Sequence, residues 1–332
     1  MRNFVIIRRM LLGLSTSLSI LVHAQTKDSL VTHKLPSYPL IRPFMMQYER
    51  INNAEYTQRD RNKNIIGEGQ AQTTRFRTFA SMPVYQKEKI VISTNVLYTH
   101  ESISNYTKTQ VSGPLTKSTI QINDVDLTLS GVYRGILWKR PVIHTANIIV
   151  SSPNLIHVKK VSAMASSSMI FVKGVQTRYS LGLLFVLDPV IAIPVIPMFT
   201  YWHRFDNPLW ELDVVLPQKI MLRRSDFLNG WLSIGTELYG NSFFTPESTQ
   251  LPGNYEYRYA DLFSGVGYER MLGKLIVGVR TGFRSTVQGR MLKVYNRNKD
   301  YVFDTKNKTV PYFNLHISWA VPYLFKPKAL KK

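Results

Sequence analysis

Few side chains in this sequence could do chemistry, and none of them is a cysteine. The nearest approach to a catalytic pair is His316 and Ser318, whose spacing puts both on one face of a strand, as a base and its nucleophile would require. Asp124 and Asp126 have the same spacing, which could serve acid–base work or calcium, but a network of ion pairs in the lumen is the favoured interpretation. No histidine or acidic cluster has the spacing of a metal site. We therefore predict no metal and no cofactor.

The chain is strongly basic, with a formal charge of +21 over 332 residues. Its lysines and arginines are scattered over loops and alternate strand positions, and no glycine-rich phosphate-binding motif is present. Nucleic acid is therefore not the predicted partner. The densest basic stretch is 289–310. The phosphates of lipopolysaccharide would attract such a loop from outside a cell, and the alternative is an ordinary solvated loop.

The first residues have the composition of a secretory leader. Three arginines precede an apolar run from Leu11 to Val22, and Ala24 is a small residue at the expected cleavage point. The run is too short to span a membrane comfortably as a helix. The sequence therefore predicts a signal peptide over 1–24, followed by a polar periplasmic segment over 25–38.

The elements that must position the candidate residues are strands with one apolar and one charged face. Within Trp210–Arg224, apolar residues such as Leu212 and Val214 alternate with Glu211 and Asp213. Alternate side chains of a strand point to opposite faces, so this stretch is interpreted as one long two-sided strand. Such strands suit a barrel in lipid with its charged side turned to the lumen. A soluble β-sandwich alternates in the same way and is the alternative.

The same alternation of apolar and polar residues along the chain predicts twelve strands. Their connections are mostly long after odd-numbered strands and short after even-numbered ones, as in outer-membrane barrels, whereas a sandwich has no reason to sort its loops by parity. Ten or fourteen strands are alternatives, because a proline-containing strand and the segment 152–173 are ambiguous. The predicted bounds are about 40–52, 71–84, 89–101, 120–136, 141–151, 174–187, 192–204, 210–224, 230–239, 255–270, 274–288 and 311–323.

The barrel is predicted over 39–325, with a basic tail over 326–332. The tryptophans are expected at two heights, as in the aromatic girdles of barrels. Near the short turns we expect Trp138, Trp231 and Trp319, and near the long loops Trp202 and Trp210.

Charged residues of both signs fall on the inward phase of the predicted strands. Because charges removed from bulk water need partners, we expect ion pairs across a narrow, largely plugged lumen. We predict that Asp261 faces Arg284, and that Lys219 lies opposite Glu237. The predicted lumen charge network is Arg75, Arg77, Asp124, Asp126, Arg134, Glu211, Asp213, Lys219, Arg223, Glu237, Asp261, Glu269, Arg280 and Arg284.

Three stretches resemble a known family. They are Leu216-Pro217-Gln218-Lys219 with the following Leu222-Arg223-Arg224, then Gly265-Val266-Gly267-Tyr268-Glu269-Arg270, and finally Gly278-Val279-Arg280-Thr281-Gly282-Phe283-Arg284. They are similar to the uncharacterised outer-membrane β-barrel proteins of Bacteroidota, a family defined by a domain of unknown function. The resemblance covers about 170–325. It implies a barrel fold and an outer-membrane location, and it carries no catalytic residues.

The sequence thus predicts an all-β, transmembrane antiparallel barrel in the outer membrane of a Gram-negative bacterium. Its predicted role is passive, porin-like transport or envelope structure. A lipid-modifying enzyme and a soluble secreted β protein are the alternatives. Catalysis is disfavoured because His316 and Ser318 both fall on the inward phase, away from lipid. The expected partners are outer-membrane lipids, lipopolysaccharide phosphates through the basic loops, and the barrel-insertion machinery.

Overall fold

The computed structural model describes Tyr38 and residues 42–108, 115–153, 157–188, 194–245, 254–294, 296 and 300–320. The predicted leader and the basic tail lie outside these residues. Within them the regular structure is all β-strand, and no helix is long and apolar enough to cross a membrane. The strands are β1 (Phe44–Arg59), β2 (Ile65–Gln86), β3 (Ile90–Lys108), β4 (Leu115–Leu137), β5 (Arg140–Ser152), β6 (Lys160–Lys173), β7 (Thr177–Leu187), β8 (Val195–Arg204), β9 (Trp210–Leu216), β10 (Lys219–Phe227), β11 (Gly230–Thr245), β12 (Tyr255–Leu272), β13 (Leu275–Lys293), β14 (Phe303–Asn307) and β15 (Val310–Trp319).

These strands close into one antiparallel barrel. Each strand from β1 to β13 pairs with the next, and the last part of the chain pairs with both β1 and β13. That last strand is interrupted at Lys308 and Thr309, so that β14 and β15 share one position in the wall. The barrel therefore has fourteen strand positions. Closure removes the open sheet edges that lipid would not tolerate.

One of the two additional strands is β6, which lies inside the predicted loop 152–173. Its outward positions include Ala163, Ala165 and Ser167, and its inward ones include Ser162, Ser166 and Ser168. The two faces differ little in polarity, so the alternation is too weak to identify the strand. The prediction of a loop here was wrong for that reason.

The other additional strand comes from Trp210–Arg224, which was predicted as one strand and is the hairpin β9–β10. The chain turns at Pro217 and Gln218, and Lys219 pairs with Val215. Three residues separate the paired positions Val215 and Lys219, and an odd number of intervening residues keeps the alternation in phase across the hairpin. The predicted inward and outward faces are therefore correct on both strands, although the single strand was wrong.

The connections lie at two rims. The strand ends that flank 87–89, 138–139, 174–176, 205–209, 228–229 and 273–274 form the turn rim. Those that flank 60–64, 109–114, 153–159, 188–194, 217–218, 246–254 and 294–302 form the loop rim. The link 206–208 broke the parity rule in the twelve-strand prediction. It lies at the turn rim with the other tight connections, because β6 shifts the strand count by one.

The wall is tall on one side and short on the other. β2 and β4 have 22 and 23 residues, whereas β9 and β10 have 7 and 9. About 9–11 residues suffice for a tilted strand to cross a bilayer. β1–β4 therefore continue into stretches predicted as long loops, including most of 53–70. These extensions are polar on both faces, so no alternation marks them as strands.

Outward side chains form an apolar belt around the middle of the barrel. Leu181 is 53% exposed, Ile234 52% and Phe283 59%, while their inward neighbours are buried or half-buried. The belt is far larger than the apolar patches of ordinary soluble proteins. It therefore matches a surface made to face lipid.

The tryptophans correct the predicted girdles. Trp202 and Trp210 flank the connection 205–209, so they lie at the turn rim rather than the loop rim. All five tryptophans are consequently near the turn rim. Trp231 and Trp202 point inward, and the other three point outward or lie in a turn.

Candidate functional site: the interior of the barrel

The charged residues predicted for the lumen all lie on inward-facing strand positions. They do not form one continuous network. They join residues that the sequence did not single out, in separate groups at different heights.

The most deeply buried group is centred on Arg75 of β2, whose side chain is 1% exposed. Its Nη1 lies 2.6 Å from Oε1 of Glu49, and its Nε lies 2.9 Å from Oε2 of Glu101. Arg77 lies more loosely, 3.8 Å from Glu49. Two carboxylates against one guanidinium partly offset the cost of removing these charges from water.

The Arg75 group is covered by a hairpin that crosses the lumen. The loop-rim half of β11–β12 extends beyond the short hairpin β9–β10, so its β11 edge has no β10 neighbour there. It leans across the interior instead. Phe243 and Tyr259 pack on Ile122 of β4, and the Tyr259 hydroxyl lies 3.4 Å from Glu101. β11–β12 and β3–β4, nearly opposite each other around the barrel, thus meet inside it.

Arg75 also contacts this hairpin through two aromatic rings. Its guanidinium carbon lies 5.5 Å from the ring centre of Tyr239 and 5.2 Å from that of Tyr259, and Arg77 lies 4.3 Å from Tyr239. Cation–π contacts strengthen when they are desolvated, as here. The hairpin is therefore bound to the β2–β4 wall by charge as well as by packing.

The other side of the same hairpin reaches the far wall near the loop rim. Glu256 of β12 accepts from Arg258 at 2.6 Å and lies 3.3 Å from Lys160 of β6. Lys160 in turn lies 2.6 Å from Asp188, at the end of β7, and Arg258 lies 3.9 Å from Asp188. These four residues link β12 to β6 and β7. The hairpin therefore divides the loop-rim end of the lumen from wall to wall.

On the hairpin β9–β10, Asp213 binds Lys219 at 2.8 Å and Arg223 at 2.9 Å. Lys219 lies opposite Glu237, so that prediction of register is confirmed. Glu237 nevertheless forms its ion pair with Arg280, at 2.7 Å, and not with the residue opposite it. In a narrow interior the nearest opposite charge need not be the cross-strand neighbour.

The predicted pair of Asp261 and Arg284 is formed, at 2.8 Å. The register that was used to predict it is wrong by two residues, since Asp261 lies opposite Thr286 and Arg284 opposite Phe263. The long arginine side chain reaches Asp261 diagonally. Thr286 donates a second hydrogen bond to the same carboxylate at 2.9 Å.

At the turn rim, the chain that precedes β1 contributes Tyr38 and Arg42 to the lumen. Arg42 binds Glu269 through both terminal nitrogens, at 2.7 and 2.8 Å, and His316 lies 2.6 Å from the same carboxylate. The ring of Tyr38 lies edge-on to Trp231, with centroids 5.9 Å apart. Burial, reinforced by the charge of Glu269, raises the pKa of Tyr38 to about 12, so its hydroxyl stays protonated.

The inward face of β5–β8 is different, because it is apolar near the loop rim. Six buried side chains from these four adjacent strands pack together there, and hydroxyl groups such as the Thr145–Ser166 and Ser180–Thr200 pairs occupy the next level toward the turn rim. The apolar six are Ile149, Met164, Leu184, Val186, Ile196 and Met198.

Several candidate residues are not brought into a reactive arrangement. Asp124 and Asp126 lie side by side on the inward face of β4, and no group of three or more potential ligands among the described residues could hold a metal ion. Arg134 also points inward, without an ion pair among the residues described. Ser318 is fully buried, and the ring of His316 binds Glu269. A hydrolytic pair facing lipid is therefore not formed.

Sequence reasoning missed half of the residues that hold the interior together, including Glu49, Glu101, Lys160 and Glu256. Glu49 and Glu101 lie on the inward phase of recognised strands and could have been found by extending the alternation. Lys160 lies in the unrecognised strand β6. Both faces of the crossing hairpin are buried, so alternation could not assign Glu256 to the interior.

No family model matches the chain, and no curated protein matches it. Among solved structures, an outer membrane channel from Pseudomonas putida F1 is similar at 10% identity and a TM-score of 0.37, over 86% of this chain and 98% of that one. The transport unit of the autotransporter AIDA-I from Escherichia coli is similar at 8% identity and a TM-score of 0.34, over 88% and 94%. A Pseudomonas aeruginosa FadL homologue is similar at 9% identity and a TM-score of 0.30, over 83% and 89%.

Proposed function

We propose that this chain is an outer-membrane β-barrel of a Gram-negative bacterium, and that it is a narrow passage for passive transport whose lumen is closed at rest. The apolar belt on a closed antiparallel wall supports the membrane location. The resemblance to the uncharacterised Bacteroidota barrels supports the same location and names the family to which we assign the chain.

The observation that carries the closed lumen is the hairpin β11–β12. Its aromatic residues Tyr239, Phe243 and Tyr259 lie against the β1–β4 side, while Glu256 is bound to Lys160 on the opposite side. An open general porin keeps a continuous water-filled channel. A partition bound on both sides instead suits a channel that must rearrange before it conducts.

The alternative of a lipid-modifying enzyme is less well supported. Such an enzyme needs its nucleophile and base where lipid can reach them. Ser318 is fully buried on the inward face, and His316 is engaged by Glu269. A purely structural role in the envelope is the remaining alternative. The conductance of a variant whose hairpin β11–β12 is released from the opposite wall distinguishes that role from transport.

Lipopolysaccharide phosphates are the proposed partner of the basic stretch 289–310. Arg290 lies 3.9 Å from Asp304 and stacks on Tyr301, and Arg61 donates to the Tyr301 carbonyl. These contacts order the arginines at the loop rim, where arginine suits phosphate. Binding of labelled lipopolysaccharide to the purified barrel should weaken in Arg290→Ala, and equal binding by that variant would contradict the proposal.

The location is tested by single cysteines in this cysteine-free chain. An impermeant maleimide added to intact cells should label Asn62→Cys, which is exposed in the connection 60–64 at the loop rim. It should not label Glu88→Cys in the turn 87–89. Labelling of Glu88→Cys alone would reverse the orientation.

The function is tested by planar-bilayer recording of the purified protein. The wild type should show little steady conductance, and the triple change of Tyr239, Phe243 and Tyr259 to serine should raise it by removing the rings that bind the hairpin to the opposite wall. Tyr133→Ser, on the outward face of β4, is the matched control and should behave as the wild type. A large, steady wild-type conductance would show an open pore, and a folded triple variant that stays silent would favour the structural role.

A further inference from the structure

The turn-rim end of the lumen holds an arrangement that the crossing hairpin does not explain. Arg42 precedes β1, whose paired residues begin at Phe44, yet its side chain reaches into the barrel and binds Glu269 through two nitrogens. Tyr38 lies four residues earlier. It contacts Trp231, and the guanidinium carbon of Arg223 lies 4.3 Å from its ring centre. Both side chains thus occupy the interior without belonging to the wall.

The wall residues around them come from four different strands. Arg223 lies on β10, Trp231 on β11, Glu269 on β12 and His316 on β15. Trp231 is directly opposite Glu269 in the register, and Arg223 is held by Asp213 and Glu211. Since rigid strands position the site and ion pairs orient it, the arrangement does not depend on Tyr38 and Arg42 for its shape.

Gly278 makes room for this site. A Cβ atom at Gly278 would collide with the His316 ring and with the side chain of Glu269. The recess therefore lets His316 approach Glu269 from the wall side and leaves the lumen-facing side of the carboxylate to Arg42. A planar guanidinium matches a carboxylate with two parallel bonds, which the point charge of a lysine cannot reproduce.

We propose that Glu269, His316, Trp231 and Arg223 form an acceptor site for a tyrosine–arginine pair spaced four residues apart, and that Tyr38 and Arg42 fill it as a removable plug of the turn-side mouth. Release of the plug leaves the strand ladder intact, because the ladder begins after Arg42. Because Tyr38 and Arg42 are joined to β1 by the chain itself, their effective concentration at the acceptor site is high, and the site is filled at rest. This inference goes beyond the proposed function, since it concerns access to the lumen and not conductance.

The reporter is Ser233→Cys, one inward position deeper than Trp231 on β11. Because the natural sequence has no cysteine, the introduced thiol is the sole site of labelling. In detergent solution a bulky maleimide should label it slowly when the plug is in place. With Arg42→Ala added, the Ser233→Cys thiol should be labelled at least about tenfold faster. Loss of a bidentate charge-assisted contact shifts the equilibrium between the filled and the empty site by an order of magnitude or more. Arg42→Lys should fall between the two.

Arg270→Ala is the matched control, since Arg270 is the exposed, outward neighbour of Glu269 on the same strand. It should label at the wild-type rate. The double exchange Arg42→Glu with Glu269→Arg should restore slow labelling, and a heat-shift gel verifies that each variant is folded. Rapid labelling of the wild-type background, or no acceleration in folded Arg42→Ala, would overturn the plug.

Addition in trans tests the acceptor site itself. A synthetic peptide with the sequence of residues 36–43, Pro-Ser-Tyr-Pro-Leu-Ile-Arg-Pro, should slow the labelling of the Arg42→Ala background. The same peptide with alanine in place of its tyrosine and arginine should not. Acceleration by Arg42→Ala without protection by the peptide would reduce the pair to a structural brace and overturn the acceptor site. None of these outcomes depends on whether the barrel conducts.

Discussion

The wall formed by β1–β4 and the wall formed by β5–β8 solve the same problem in different ways. Both enclose an interior in which polar groups lose contact with bulk water. The first is tall, and its buried Arg75 is paired with two glutamates and covered by the crossing hairpin. The second is short, and near the loop rim it presents apolar side chains that pack on one another.

The difference shows where stability is concentrated. Buried ion pairs contribute little net stability compared with apolar packing, but breaking one partner is costly, because it leaves an uncompensated charge. Apolar packing is additive and tolerant by comparison. Single substitutions in the ion pairs of the tall wall are therefore expected to lower the free energy of unfolding strongly. Single substitutions in the apolar cluster of the short wall should lower it less.

The largest effect should follow Arg75→Met. The change leaves Glu49 and Glu101 buried without their shared cation, which should destabilise the barrel by about 3–5 kcal/mol. Unfolding in urea from lipid vesicles measures it. Arg134→Met, an inward arginine on β4, is the control and should cost much less. Replacement of all three members of the Arg75 group by apolar residues should recover most of the loss, and no recovery would contradict the argument from charge.

A smaller effect is expected for Leu184→Ala in the apolar cluster of the short wall. Removal of a buried leucine costs about 2–5 kcal/mol, depending on how far the site collapses. Leu183→Ala, the exposed neighbour on the same strand, should cost less because fluid lipid can fill the space. The same urea titration compares them. Equal losses at both positions would mean that the inward face of β7 is no better packed than the outward one.

The outward faces of the two walls should not differ. Arginine at the bilayer midplane of a barrel costs roughly 2–4 kcal/mol and about 0–1 near the interfaces. Val279→Arg on the long strand β13 and Leu183→Arg on β7 should therefore both weaken folding into bilayers. Leu275→Arg, beside the turn 273–274, should have little effect. Negligible costs at all three positions would argue for a water-facing sheet.

Much of the fold was predictable because alternation is a local property. Lys219 and Glu237 were predicted opposite each other and are. β6 was missed because serine and alanine alternate there without a contrast in polarity. The turn at Pro217 escaped notice because the three residues between the paired Val215 and Lys219 leave the alternation unchanged. The interior was less predictable, since ion pairs follow the shape of the lumen more than the register, as Glu237 and Arg280 illustrate.

The sequence by itself determined which side chains face inward, because a strand turns alternate residues to opposite sides whatever its neighbours are. It also determined that the interior holds charges of both signs. Only the tertiary structure decided how they pair, that β11–β12 crosses the lumen, and that Tyr38 and Arg42 enter from the turn rim. These contacts join residues up to 227 positions apart, as in Arg42 and Glu269. Closure of the barrel and the unequal height of its walls set such distances, and no local pattern in the chain encodes them.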